Sequence, residues 1–428
     1  MGVMKLSSVS PSYYQKLFGL TRNPFLRSSL IELEDPTSIF SKQWVDDVLD
    51  SLAAETMSGV ASAFVTVTGP PGSGRSLRLH ILRYSYHKAD LDGIYQEISA
   101  VEGPDAIDSI LSTVYERSRG ISKALKKMLL GMPETLTEDE LLQLKASPAD
   151  AGDMIVRSLN SIAPTALLLD DVHNMLYTDE RWSFFFFEMV REIVSVMPEG
   201  ILIVSAMSDE AYEEIDKRFP ALTSRVHERI AIPPLTDEEA INLVSRRLGV
   251  FRSRVPELPL EPLSEDVVVA ANRLVEGIPG KLLDILSKSL EVAAILGRSR
   301  VDMYVFDKVI ESEMEFIDYV KRAPPRMRKE LEIILRNFNG GPVVLEKVAI
   351  EAEIPVSIAY SRLEALVVSG LLEKDRSGRY YIPKEAIKVE RKEEKEVKED
   401  KLRKKEEDQK KIPRSILRLK RARKGFLW

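Results

Sequence analysis

The stretch that decides the fold is Gly69–Ser76, with the sequence Gly-Pro-Pro-Gly-Ser-Gly-Arg-Ser. It follows the short β-branched run Ala63–Thr68, which predicts a strand, and it precedes LRLHILRYSYHK, which predicts a helix. In a strand–loop–helix context, glycines let backbone N–H groups face phosphates, and the helix N-terminus adds a favourable field. The sequence therefore predicts a phosphate-binding loop, with a glycine turn that binds no ligand as the alternative.

The composition of this loop indicates nucleotide binding with an altered cation. Ser76 stands where a hydroxyl would hold Mg²⁺. Arg75 stands where the usual pattern has lysine, and its longer planar fork meets phosphate differently from a compact ammonium. We therefore expect ATP and Mg²⁺ to bind and hydrolysis to be weak. The residues of this loop predicted to contact the nucleotide are Gly69, Gly72, Ser73, Gly74, Arg75 and Ser76.

A second signal is the apolar run Ala166–Leu169, which is followed by Asp170 and Asp171. Such a run has the length of a buried parallel strand that delivers carboxylates to its C-terminal end. Asp170 would hold Mg²⁺ through water, and Asp171 would polarise an attacking water. Alone the pattern is also typical of an ordinary strand end. Its position about 95 residues after the glycine loop favours the catalytic interpretation.

Strand and helix patterns alternate in the first half of the chain and then give way to helices. Gly93–Ser99 and Gly200–Ser205 are further predicted strands, so we expect an α/β fold with a parallel sheet covered on both faces. After Pro234 the patterns are helical. Arg326–Pro383 then predicts three helices and a hairpin centred on Gly378, which is the element order of a winged helix.

Composition excludes several classes of function. The chain of 428 residues has no cysteine, which excludes a disulfide scaffold, a thiol nucleophile and cysteine-ligated metal. Its four histidines lack the i, i+4 spacing of a helical zinc site, which argues against a metal cage built from protein side chains alone. No apolar run approaches about 18 residues, so we expect a cytoplasmic protein without a membrane partner.

Charge is unevenly distributed along the chain. Residues 384–428 carry 18 Lys and Arg against 10 Asp and Glu, whereas the remaining 383 residues carry 43 basic and 57 acidic groups. A basic tail on an acidic body predicts a polyanionic or acidic partner. The end of the tail, Ile412–Trp428, combines six cations with apolar residues, so it could bind nucleic acid or dock into a groove of a protein partner. A solvated tail without a partner is the alternative.

From Leu17 to Lys321 the chain resembles an AAA+ ATPase. The resemblance implies a polar sensor of the γ-phosphate after the strand Gly200–Ser205, for which Ser208 is the first candidate and Ser205 the second. It also implies that Arg225, in the stretch RFPALTSRV, reaches the nucleotide of a neighbouring subunit in a homo-oligomer. An ordinary surface or ion-paired arginine is the alternative for Arg225.

The predicted lid departs from the pattern of this family. In Gly277-Ile-Pro-Gly-Lys281 the family normally has an arginine after the proline, whereas this chain has Gly280. Lys281 is the nearest base, and the resemblance implies that it contacts the nucleotide. Together with Arg75, this change favours a switch or scaffold over a fast motor. The resemblance and the sequence patterns together predict an N-terminal segment at 1–60, a P-loop AAA+ base at 61–232, a helical lid at 233–322, a winged helix at 323–383 and a charged tail at 384–428.

The predicted winged helix leaves two functions open. It contains ten basic and eight acidic residues between Arg322 and Pro383, which is a weak signal for phosphate contacts. Duplex DNA binding and docking of a protein are therefore both considered for this module. The predicted DNA-binding residues are Arg362 on the recognition helix and Lys374, Arg376 and Arg379 on the hairpin.

The order of base, lid and winged helix resembles the archaeal origin-recognition and replication-initiator family. The opening stretch YYQKLFGLTRNPF is also similar to ExeA-type ATPases, and paired aspartates occur in bacterial initiators and STAND ATPases. We therefore expect a nucleotide-dependent DNA-binding switch, or an initiator or loader in DNA replication. The alternative is a nucleotide-regulated interaction scaffold or STAND-like regulator with little ATP turnover and no DNA reading.

Overall fold

The computed structural model of the chain describes residues 11–26, 35–98, 103–118, 135–338, 340–352 and 354–383. The chain divides into two compact units between Glu311 and Ser312. The predicted basic tail at 384–428 and its apolar end lie outside the described residues. None of the helices that the structure describes is both long enough and apolar enough to cross a bilayer.

A five-stranded parallel sheet forms the centre of the first unit, which confirms the predicted α/β class. The strand order is β2-β3-β4-β1-β5, so β4 separates the strand before the glycine loop from the strand that ends in the aspartates. The strands are β1 (Ala63–Thr68), β2 (Asp92–Glu97), β3 (Thr165–Asp170), β4 (Ile201–Met207) and β5 (Glu228–Ala231).

Thirteen α-helices are described in or beginning in the first unit. They are α1 (Pro11–Phe18), α2 (Trp44–Met57), α3 (Arg75–Lys88), α4 (Gly103–Ser118), α5 (Glu138–Leu144), α6 (Pro148–Asn160), α7 (Glu180–Ser195), α8 (Asp209–Arg218), α9 (Pro220–Thr223), α10 (Asp237–Phe251), α11 (Glu265–Leu274), α12 (Pro279–Ile295) and α13 (Met303–Lys321).

Helices cover both faces of the sheet. On one face, α2 and α3 bury apolar residues such as Leu49 and Leu82 against β1, β3 and β4. On the other face, α4, α6 and α7 bury residues such as Ile107, Ile155 and Phe186. The strands β1, β3 and β4 are buried at every position, as expected for parallel strands enclosed by helices.

The N-terminal segment packs in two places. Tyr14, Phe18 and Phe25 are buried in the core of helices α10–α13, whereas α2 packs on the sheet. The residues before β1 therefore contribute both to the helical layer and to the sheet layer. Helix α1, within the predicted N-terminal segment at 1–60, thus packs with the helices that follow the sheet.

Among the described residues after α13, three helices are followed by a hairpin, in the predicted order. Helices α14 (Arg328–Arg336), α15 (Leu345–Ala352) and α16 (Val356–Val368) enclose a small apolar core. Strands β6 (Glu373–Lys374) and β7 (Tyr380–Tyr381) then pair antiparallel.

Candidate nucleotide-binding site

The glycine loop joins β1 to α3 in a backbone conformation that requires glycine. Gly72 and Gly74 have φ values of +85° and +95°, and Gly74 occupies the N-cap position of α3. Two buried hydroxyls at the loop, Thr68 Oγ1 and Ser73 Oγ, form no hydrogen bond to any residue that the structure describes. Buried, unsatisfied polar groups beside a curled loop and a helix N-terminus fit a phosphate-bearing ligand.

The C-terminal ends of three strands bring the predicted residues to one edge of the sheet. Thr68, the last residue of β1, lies opposite Met207, the last residue of β4. Leu169 of β3 lies opposite Ser205 of β4. The glycine loop, the paired aspartates after Leu169 and the residues after Met207 therefore meet at the edge where parallel α/β sheets bind ligands.

The two candidate sensors differ in their surroundings. Ser208 follows Met207 at this edge and is the N-cap of α8, where its side chain accepts from the Ala211 N–H at 3.2 Å. Ser205 lies within β4, is buried, and its Oγ lies 3.0 Å from Thr66 Oγ1. Ser208 is therefore the better placed of the two for a ligand at the strand ends.

Arg75 is the first residue of α3, and its guanidinium contacts other parts of the site. Nη1 donates to the Gly69 carbonyl at 2.9 Å, and Nη2 lies 3.5 Å from Asp171 Oδ1. The Asp171 oxygen also lies 3.8 Å from His173 Nδ1. Arg75, which stands where the usual pattern has lysine, thus links the start of the glycine loop to Asp171, the carboxylate that we predict to polarise water.

The paired aspartates have different environments. Asp170 is 1% exposed and accepts the Tyr95 hydroxyl at 2.8 Å, whereas Asp171 is partly exposed and has a φ of +50°. Burial raises the pKa of the Tyr95 phenol, and the charge of Asp170 raises it further, so the hydroxyl remains the donor. Burial lowers the pKa of His80, whose ring stacks on Tyr95. Sequence reasoning missed Tyr95, since a tyrosine inside a strand pattern carries no signal of its own.

A buried cation behind the loop was also missed. Arg78 is 3% exposed and donates to both oxygens of Asp46, at 2.6 and 3.2 Å, and to Gln43 Oε1 at 2.8 Å. It also donates to the Ser73 carbonyl at 3.3 Å. Burial raises the pKa of Asp46, and the charge of Arg78 opposes that shift. This network connects the loop to α2. The spacing between Arg78 and Asp46 gives no hint of the pairing.

Helix α12, which lies within the predicted lid, contacts the glycine loop through its backbone. The Gly280 N–H donates to the Gly72 carbonyl at 2.8 Å. A Cβ at Gly280 would lie 3.0 Å from Gly72 Cα, so only glycine allows this approach without a shift. Lys281, the next residue of α12, is exposed. Gly280 stands where the resemblance implies an arginine. It therefore contacts the glycine loop through its backbone N–H and not through a side-chain cation.

Ser76 and Arg225 are the other predicted residues of the first unit. Ser76 is the second residue of α3 and is exposed. Arg225 is exposed after α9, and its Nη1 donates to the Ala221 carbonyl at 2.5 Å. Its role between subunits stays a prediction.

Three of the four predicted DNA-binding cations pair with carboxylates inside the second unit. Arg362 Nη1 lies 2.5 Å from Glu330, which is fully buried. Lys374 lies 2.6 Å from Glu364 and near the Tyr360 and Tyr380 rings, and Arg379 lies 2.9 Å from Asp375. Arg376 is exposed and forms no ion pair with a described residue.

The exposed part of α16 is apolar at Val356, Ile358 and Tyr360.

Comparisons of the sequence with known proteins give a partial relative and no family. No protein-family model matches the chain. An uncharacterized HTH-type transcriptional regulator of Methanocaldococcus jannaschii is 24% identical over 186 residues, which are 42% of this chain and 44% of that protein. The chain thus spans less than half the length of this curated relative.

The chain is also similar to solved structures of ORC and RuvB proteins. The Aeropyrum pernix ORC2 protein, in ADPNP–ADP complexes, matches with a TM-score of 0.51 and 13% identity over 86% of this chain and 96% of that one. A. pernix ORC1 in complex with DNA gives 0.46 and 13% over 83% and 95%. The Thermotoga maritima RuvB Holliday junction branch migration motor gives 0.42 and 13% over 84% and 97%. An identity of 13% to the ORC2 protein shows a likeness of fold alone.

Proposed function

We propose that this chain is an ATP-binding AAA+ switch with weak hydrolysis that engages duplex DNA through a C-terminal winged helix. The observation that carries the proposal is the meeting of the glycine loop with Asp170 and Asp171 at one edge of the sheet. The likeness of the fold to the ORC2 protein in ADPNP–ADP complexes supports nucleotide binding.

The residues at this edge suit distinct parts of ATP binding. The loop Gly69–Ser76 would hold the phosphates with backbone N–H groups, and the Ser76 hydroxyl and Asp170 would hold Mg²⁺. The bound ion would neutralise phosphate charge. Asp171 would orient and polarise a water. Because Arg75 already contacts Asp171 and the Gly69 carbonyl, it is not arranged toward a developing charge, and this supports a switch with slow turnover.

Two observations support contact with DNA. The three helices and hairpin of the second unit follow the element order of a winged helix, and a partial relative is named an HTH-type transcriptional regulator. Arg376 and Arg379 on the hairpin would contact phosphates, because this is where such a module presents exposed cations. An initiator or loader in DNA replication is the specific role that the resemblance suggests.

The first test is ATP hydrolysis by the native chain and by Arg75→Lys, each with and without duplex DNA. We expect slow turnover in the native chain and a gain in Arg75→Lys, because lysine reaches phosphate as a compact charge. Stimulation by duplex DNA would couple the two units functionally. ATP binding is measured on the same two proteins, and its absence in both would refute the proposal.

DNA binding is tested by salt dependence. Each lost phosphate contact reduces the slope of log affinity against log salt by about 0.9, so Arg376→Glu with Arg379→Glu should flatten the slope by about 2. The control reverses Arg157 and Arg298, two exposed arginines of the first unit that, like Arg379, pair with an aspartate four residues away. An equal effect of both double variants would contradict a DNA contact at the hairpin.

A second candidate function is nucleotide-regulated docking of a protein on the second unit. It is favoured by α16, where Arg362 pairs with buried Glu330 and the exposed residues include Val356, Ile358 and Tyr360. Apolar exposed side chains suit a protein surface better than a phosphate backbone. DNA binding that is absent or insensitive to salt would favour this alternative.

A further inference from the structure

The carboxylate of Asp170 is held by two donors in a buried position. Its Oδ1 accepts the backbone N–H of Asp171 at 3.0 Å, and its Oδ2 accepts the Tyr95 hydroxyl at 2.8 Å. A carboxylate can accept about four hydrogen bonds, so each oxygen retains about one lone pair for a water. The carboxylate is thereby fixed in orientation while it keeps the capacity to hold metal-bound water.

Tyr95 is itself fixed by two elements of the site. It lies in β2, where it is opposite Leu168 of β3, two residues before Asp170. The His80 ring of α3 stacks on its ring, with centroids 4.3 Å apart and planes 28° apart. Because α3 is the helix that follows the glycine loop, a chain of three side chains connects that helix to Asp170. Displacement of the Tyr95 ring would change the orientation of the carboxylate.

We propose that Tyr95 is a positioning residue for magnesium binding, acting through Asp170, and that His80 holds the Tyr95 ring in place. The inference rests on the proposed function, because it takes Asp170 as the carboxylate that holds Mg²⁺. A partner that orients a metal-binding carboxylate limits its rotation, and the loss of such a partner typically weakens metal affinity by about 10- to 100-fold.

The test is a Mg²⁺ titration of ATP binding in the full chain, followed with a fluorescent ATP analogue. In Tyr95→Phe we expect the Mg²⁺ concentration at half-maximal effect to rise by about tenfold or more. Affinity measured in EDTA should stay at the native value, because the glycine loop is unchanged. A raised Mg²⁺ midpoint with an unchanged ATP affinity in EDTA distinguishes positioning of the carboxylate from a general loss of structure.

Tyr86→Phe is the matched control. Tyr86 lies on α3, is fully buried, and its hydroxyl lies 2.6 Å from Thr56 Oγ1, so the substitution also removes a buried tyrosine hydrogen bond. We expect it to lower thermal stability and to leave the Mg²⁺ midpoint unchanged. An unchanged midpoint in Tyr95→Phe, or an equal shift in Tyr86→Phe, would overturn the inference.

Four further outcomes separate the inference from the proposed function. If Tyr95→Phe fails to fold, His80→Ala gives a second reading, since it removes the stacked ring and leaves the hydroxyl. A rise of the Mg²⁺ midpoint in that variant supports the inference, and a native midpoint overturns it. If the native chain binds ATP neither with Mg²⁺ nor in EDTA, the proposed function fails and the inference fails with it. Native binding with an unshifted Tyr95→Phe midpoint overturns the inference alone.

Discussion

The contact between Arg75 and Asp171 leads to a prediction about nucleotide affinity. We expect a bound γ-phosphate to compete with the Asp171 carboxylate for the Arg75 guanidinium, because both are anions. Asp171→Asn removes the competing charge with little change of shape. We therefore expect Asp171→Asn to bind ATP more tightly than the native chain, while it gains no hydrolysis.

The magnitude follows from the distance and the exposure. Unit charges 3.5 Å apart attract by about 5 kcal/mol at an effective dielectric constant of about 20 and by about 1 kcal/mol in bulk water. The Arg75 and Asp171 side chains are 10% and 28% exposed, so solvent screens the pair and the value lies towards the lower end. A contribution of about 1.4 kcal/mol corresponds to about tenfold tighter ATP binding in Asp171→Asn.

A double-mutant cycle isolates this effect from a general gain in positive potential. Affinities for a fluorescent ATP analogue are measured in the native chain, Asp171→Asn, Arg75→Met and the double variant. Methionine removes the cation and keeps an unbranched side chain, so no guanidinium remains to be released. We expect Asp171→Asn to tighten binding by about tenfold with Arg75 present and by much less in the Arg75→Met background.

Equal effects of Asp171→Asn in the two backgrounds would refute the reasoning, because the gain would then come from the lost charge alone. Weaker binding in Asp171→Asn would also refute it, since that result would make the carboxylate a direct contributor to nucleotide binding. ADP serves as an internal comparison. It lacks the γ-phosphate, so Asp171→Asn should change its affinity less than that of ATP.

Two further predictions concern stability. Gly280→Ala should destabilise the first unit by about 1–3 kcal/mol, because the added Cβ would lie too close to the glycine loop. Gly249→Ala is the control and should be neutral or slightly stabilising, because nothing lies within 4 Å of its Cβ position. Thermal unfolding of the two variants tests the difference. Arg362→Ala should destabilise the second unit by about 3–5 kcal/mol, because it leaves the Glu330 carboxylate buried without its ion pair. Arg376→Ala is the control and should change the stability by no more than about 0.5 kcal/mol. Hydrogen exchange of the α14–α16 amides measures both effects.

The sequence predicted the centre of the sheet well because its signals are local. The strand Ala63–Thr68 was predicted with its observed bounds, and Ala166–Leu169 within one residue at each end. Both strands are continuous apolar or β-branched runs, as expected for strands buried on two faces. The fifth strand, Glu228–Ala231, was missed because it is an edge strand with one buried residue. A short strand with that pattern resembles a loop.

The side-chain partners within the site could not be predicted in the same way. Tyr95 and Asp170 are 75 residues apart, and Arg362 and Glu330 are 32 apart. Such pairs exist only once the sheet order and the helix packing are set. The motif spacing identifies which residues are able to meet a phosphate. It does not show that a carboxylate of the protein already contacts one of those cations.

Three positions at which a cation would meet phosphate share one property. Arg75 contacts Asp171, Arg362 contacts Glu330, and Gly280 replaces a side-chain cation by a backbone bond to the glycine loop. Rapid phosphoryl transfer depends on groups already aimed at the developing charge, without rearrangement during the reaction. On the proposed function, a phosphate that binds Arg75 would have to replace the contact with Asp171. A ligand shifts a conformational equilibrium only by its difference in affinity for the two states, and the exchange of partners at Arg75 would supply such a difference between ATP and ADP. The contact that we propose to slow turnover would therefore also let the chain distinguish the two nucleotides.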